Sequence, residues 1–181
     1  MIASGNLGMV YFATLPGRQT LEDIQAHHPR VVPGLVAHPG IGLIMVRSQT
    51  DGPVVFGPAG AHYLDDGRVE GHDPLARFGP HAAADLRRHD GLPHVGDIVL
   101  ISRLDDSTEE VAAFEELIGC HGGLGGWQSR AVLVHPRDWE AQDTLDGSDA
   151  VHRQLVQWLE QIGQRADRKP STAAGDQAEG A

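Results

Sequence analysis

The chain has 181 residues, 14 Lys and Arg against 25 Asp and Glu, and a formal net charge of −11. That length suits one domain, or one domain with a tail, and the acidic balance excludes the basic face that nucleic acid or anionic lipid requires. One cysteine, Cys120, excludes both a disulfide framework and a cysteine-rich zinc module.

With aromatics at only 5%, the core has to be built from Val, Leu, Ile and Ala. The longest apolar stretch, Gly40 to Val46, falls far short of the ~20 residues that span a bilayer, so no direct membrane insertion is expected. The first residues, Met1-Ile2-Ala3-Ser4, carry no secretory pattern, and with a single cysteine the cytoplasm is the default compartment.

Leu7 to Ala13 reads as a first strand, apolar on both faces and therefore central in a sheet. Thr20-Leu21-Glu22-Asp23 has capping-box spacing and opens a short helix that stops before Pro29. A helical turn around Pro33 to Ala37 leads through His38-Pro39-Gly40 into a strand from Ile41 to Arg47. Short strands at Pro53 to Phe56, Ala61 to Leu64 and Arg68 to Glu70 follow, joined by turn residues as an edge meander. Pro80 suits the first position of a helix running to about His89, and Asp97 to Ser102 is another buried strand.

Ser107-Thr108-Glu109-Glu110 repeats the capping-box spacing, which predicts a helix presenting Val111, Phe114, Leu117 and Ile118 on one face and stopping at Gly119. Ala131 to Val134 is expected as a last strand. Val151, Leu155, Trp158, Leu159 and Ile162 mark an amphipathic C-terminal helix. From Arg165 onward large apolar groups vanish and a disordered tail is expected. The reading is an α/β fold: a small mixed sheet with flanking helices and an edge meander. The α/β portion spans residues 1–140, the C-terminal helix 141–164 and the tail 165–181.

Eleven histidines invite a search for metal ligands, but no HExxH or CxxC is present and no helix face carries two histidines. His27, His28, His62, His72, His89, His94 and His152 sit in polar or turn contexts and read as solvated surface residues. The glycine-rich run Gly119-Cys120-His121-Gly122-Gly123-Leu124-Gly125-Gly126-Trp127 lacks both the P-loop lysine and the dinucleotide glycine spacing. It places an imidazole on a backbone able to approach a ligand closely. On spacing alone, His121 is a metal or phosphate-site residue, or it caps the preceding helix.

The run from Val111 through Trp127, together with Ile2-Ala3-Ser4-Gly5-Asn6-Leu7 and His38-Pro39-Gly40-Ile41-Gly42, resembles the C-terminal third of a bacterial family. That family is the type I phosphodiesterase/nucleotide pyrophosphatase branch of the alkaline phosphatase superfamily, in its actinobacterial membrane-linked form. The resemblance extends from Ile2 to about Trp139. It implies a phosphoester hydrolase in which two divalent metals, commonly zinc, flank a Ser or Thr nucleophile. By the same match His121 is the final metal ligand, and Cys120 replaces a small hydroxyl residue.

The nucleophile, the early Asp ligand and the Asp-His-Gly element of that family have no counterpart in this chain. The resemblance therefore implies a C-terminal portion that supplies one ligand and part of the site wall and is inactive alone, whether as a truncated reading frame, a split-gene half or a remnant. Its expected partner is a separately encoded catalytic half, or a second copy meeting the apolar first strand. The alternative is a non-catalytic interaction or regulatory module that retains the fold. Full-length relatives are membrane-associated through a portion not found here.

Overall fold

The computed structural model describes residues 1–116 and 119–164, and these form two compact units, residues 1–131 and residues 132 onward. The first unit is a seven-stranded sheet between helices. The strands are β1 (Ile2–Ser4), β2 (Leu7–Val10), β3 (Ile41–Ser48), β4 (Gly52–Gly57), β5 (Gly60–Tyr63), β6 (Val69–Gly71) and β7 (Ile98–Ser102). They lie in the order β1-β2-β7-β3-β4-β5-β6, and every neighbouring pair is antiparallel. The α/β class, the flanking helices and the edge meander are as the sequence predicts, with strand directions antiparallel throughout.

Period-two alternation sorts the central strands onto two faces. Leu43 and Met45 of β3 and Val99 and Ile101 of β7 enter one core with Leu75, Phe78 and Leu86. Ile44 and Val46 of β3 and Ile98 and Leu100 of β7 enter the other, with Ile24 and Val32. The first face is covered by α3 (Ala82–Asp90), the second by α1 (Leu21–His27) and α2 (Val31–Val36). Because both faces are buried, β3 and β7 are apolar at nearly every position, a pattern more usual in parallel sheets.

The first strand is shorter than expected. It ends at Val10 and pairs with β1 on one side and β7 on the other, so it is β1 that forms the sheet edge, with Ile2 58% exposed. Beyond Val10 the chain leaves the sheet because Asp97, 4% exposed, captures its backbone: Asp97 accepts from the Phe12 amide at 2.6 Å and from the Gln19 amide at 2.7 Å. A second buried carboxylate, Asp90, closes α3 by pairing with Arg18 and Arg47.

The capping box at Thr20 forms as expected. Its hydroxyl accepts from the Asp23 amide, and the Asp23 carboxylate accepts from the Thr20 amide. The matching pattern at Ser107 does not open a helix. Asp105, two residues upstream, accepts from the Ser107 hydroxyl at 2.6 Å and from the Ser107 and Thr108 amides at 2.8 and 3.0 Å, so a tight turn forms instead. The Asp105 amide then donates to the Glu110 carbonyl, and Leu104 bridges to Val111. Val111 goes to the first core and Phe114 to the second, on opposite sides of the sheet, which one helix face could not do. Leu117 and Ile118 lie outside the described residues.

Hydrogen bonds from Ser107 and the two amides hold the Asp105 carboxyl well below the usual carboxylate range. A carboxyl with a depressed pKa contributes stability that is present above its unfolded value and lost as pH falls toward its folded one.

Ala131 to Val134 forms no strand. No ladder partner pairs with it, and Val132 and Val134 are each 87% exposed. In the second unit α4 (Gly147–Gln161) forms the expected C-terminal helix, but its burial is narrower than the apolar pattern predicts. Trp158 is buried against the rings of His135 and Trp139 and donates to the Glu140 carbonyl at 2.8 Å. Leu155, Leu159 and Ile162 are exposed. The expected tail lies outside the described residues.

Candidate functional site

The glycine-rich segment is not a loose connection after a helix. It lies with its backbone against the turn between β1 and β2. Gly5, at φ +60°, has no side chain to interfere, and a Cβ there would stand 1.8 Å from the His121 carbonyl oxygen. A Cβ on Gly122, at φ +90°, would stand 2.6 Å from the Ser4 carbonyl oxygen, and one on Gly123 2.2 Å from Asn6 Oδ1. Main chain therefore packs on main chain at Gly5 and Gly122, which only glycine permits.

Asn6 holds the two together. Its side chain is fully buried, donates to the Leu124 carbonyl at 2.7 Å and accepts from the Gln128 amide group at 2.9 Å. The Gly5 amide donates to Glu115 Oε1 at 2.8 Å, and the Phe114 amide donates to the Gly5 carbonyl at 2.7 Å. Phe114, Glu115, Leu124 and Gln128 are thus each bonded to the hairpin. His121 lies between Glu115 and Leu124 in the chain and is exposed.

Cys120 beside it is half-buried. Burial pushes its thiol up, the neighbouring Glu115 charge adds to the effect, and hydrogen bonding from the Asn6 and His121 backbone opposes it. A thiol held neutral in this way is a poor nucleophile and a poor metal ligand at neutral pH. Glu115 Oε2 is buried and has no hydrogen-bond partner among the described residues.

The resemblance implies a site with two divalent metals, which takes several His, Asp or Glu ligands from different elements. Among the described residues no group of three His, Cys, Asp or Glu converges on one point.

Two of the histidines expected to be solvated are not. His62 is largely covered and bonds Asp73 at 2.9 Å, and His89 is half-buried, with burial and then the Arg18 charge pushing its imidazole pKa down. Their neighbours come from distant parts of the chain, so local polarity misleads. His28 stacks on Phe12 at 5.1 Å, and the His27 ring bonds the Asp23 carbonyl at 2.9 Å.

Among the described residues no helix is long and apolar enough to cross a membrane. No protein-family model, no curated protein and no solved structure matches the chain.

Proposed function

We propose that this chain is the C-terminal portion of a metal-dependent phosphodiesterase or phosphatase and contributes one ligand, His121, to a site completed by a catalytic part outside it. The observation that carries the reading is the way His121 is held. A fully buried Asn6 and close-packed glycines fix the backbone beside an exposed imidazole. A connecting loop has no need of such fastening, whereas a ligand presented to a partner must keep its position to within about half an ångström. With His121 as a neutral imidazole ligand, the family chemistry would be polarisation of a phosphoryl group by the completed centre. The single half-buried cysteine fits a reducing compartment, and we place the chain in the cytoplasm on that ground.

The chain alone, supplied with zinc or manganese, is expected not to hydrolyse bis(4-nitrophenyl) phosphate above a His121→Ala control. Coexpression with a companion encoding an Asp-His-Gly element and a Ser or Thr nucleophile is expected to give hydrolysis, which His121→Ala then lowers by about 100-fold or more, the loss typical of a disrupted metal centre. Activity of the chain alone that His121→Ala abolishes would show a complete site here. Reconstituted activity untouched by the substitution would remove His121 from the centre.

A further inference from the structure

We propose that a cleft in the first unit binds a small organic anion with an apolar body, its charged head held by Arg103 and His38. The cleft has a volume of about 880 Å³, inside the range of ~300–1,000 Å³ usual for small-molecule sites. Its walls are largely apolar: Val36, Ile41, Phe78 and Leu104 with the rings of Pro58 and Pro74. Such a surface stabilises a bound apolar body but does not orient it.

Orientation comes from two donors of the lining, His38 and Arg103, whose backbones are tied to the same turn. The Gly40 amide donates to His38 Nδ1 at 3.1 Å, so the neutral ring carries its proton on Nε2, available to an acceptor. The Arg103 amide donates to the Gly40 carbonyl at 3.0 Å, which seats Arg103 beside the same turn. Arg103 is exposed and lines the cleft, and it makes no ion pair among the described residues.

Among the other ionisable residues of the cleft, Arg77, Asp106 and Asp73 are already committed. Arg77 pairs with Asp106, and Asp73 accepts from the Leu75 amide and bonds His62, each at 2.9 Å. On its far side Arg103 borders Glu110 and Asp105, whose carboxylate is occupied by the Ser107 and Thr108 amides. In a chain of net charge −11, an uncommitted guanidinium lining an apolar cleft selects an anion. The planar guanidinium fork together with an imidazole N–H matches a carboxylate or a phosphate monoester. The proposal does not depend on His121 or on any metal.

The test is an NMR titration of the full chain with three ligands sharing one aromatic body: 1-naphthoate, 1-naphthyl phosphate and the neutral 1-naphthamide. Saturable shifts are expected at the non-proline amides of residues 38–42, 57–60, 72–78 and 103–106, with at least one anion binding about tenfold or more tighter than the amide. The tighter of the two anions identifies the head group. Arg103→Ala is expected to weaken that anion by about tenfold and leave 1-naphthamide unchanged. Arg103→Lys should recover part of the loss. Because Arg103 is exposed, the remaining resonances of the variant report an intact fold. Equal affinity for anions and amide, no loss in Arg103→Ala, or no saturable shift at those amides would each overturn the proposal.

Discussion

Replacing Asn6 with alanine is expected to lower the stability of the first unit by about 2–4 kcal/mol, because two buried polar groups lose their partners together. The Leu124 carbonyl loses a donor at 2.7 Å, and the Gln128 amide group loses an acceptor at 2.9 Å. Neither regains water easily, since Asn6 is fully buried. For a chain of this size the melting temperature should fall by roughly 5–15 °C.

The glycine-rich segment lies as a strap on the β1–β2 hairpin, and loosening it has a second readout. Arg130, just beyond it, should be cut by trypsin several-fold faster than in the parent chain. Gly5→Ala attacks the same contact from the other side, since the new methyl would lie 1.8 Å from the His121 carbonyl oxygen at a φ of +60°. It should destabilise at least as much. Stability and cleavage at Arg130 both unchanged in Asn6→Ala would mean that the strap is not fastened as described.

The second large effect is expected at Asp97. Its two oxygens accept from the Phe12 and Gln19 amides, on either side of the connection that leads into α1. Asp97→Ala leaves two amides without acceptors in a buried setting and should cost about 2–4 kcal/mol in denaturant unfolding. Asp97→Asn keeps one acceptor oxygen and should cost roughly half as much. Because α1 covers one face of the sheet, the alanine variant should also expose Ile24 and bind a hydrophobic dye. An alanine variant as stable as the asparagine one would show that the carboxylate is not holding the connection.

Local patterns announced most of the fold, and where they failed a residue outside the pattern had intervened. Thr20-x-x-Asp23 and Ser107-x-x-Glu110 look alike in sequence, yet only the first caps a helix. The difference is Asp105, whose carboxylate gathers the Ser107 hydroxyl and the Ser107 and Thr108 amides into a tight turn. The apolar runs of β3 and β7 were legible because burial on both faces leaves an unbroken signal. Ala131 to Val134 carries a similar signal over four residues, but a strand also needs a neighbour to pair with, and sequence does not show one. His121 could be noticed from its glycines, but its seat could not, because Asn6 is separated from Leu124 by 118 positions. The pairing of Arg103 with the His38 turn was illegible for the same reason. It is made by a backbone bond from Arg103, just after β7, to Gly40, just before β3.

The order of the sheet also bears on how the chain folds. Strands β3 to β6 are neighbours both in sequence and in space, so they can associate after closing only short loops, whereas β7 must insert between β2 and β3 and is the last strand to be made. The meander is therefore the natural folding nucleus, and β7 acts as the keystone that joins it to the β1–β2 hairpin. Truncating Val55 should chiefly slow refolding, while truncating Met9 should chiefly speed unfolding, a division that chevron kinetics would expose. A refolding limb equally sensitive to both would place the hairpin in the nucleus instead. The strap that presents His121 rests on that hairpin, so within the first unit it is expected to become ordered only once the hairpin has docked.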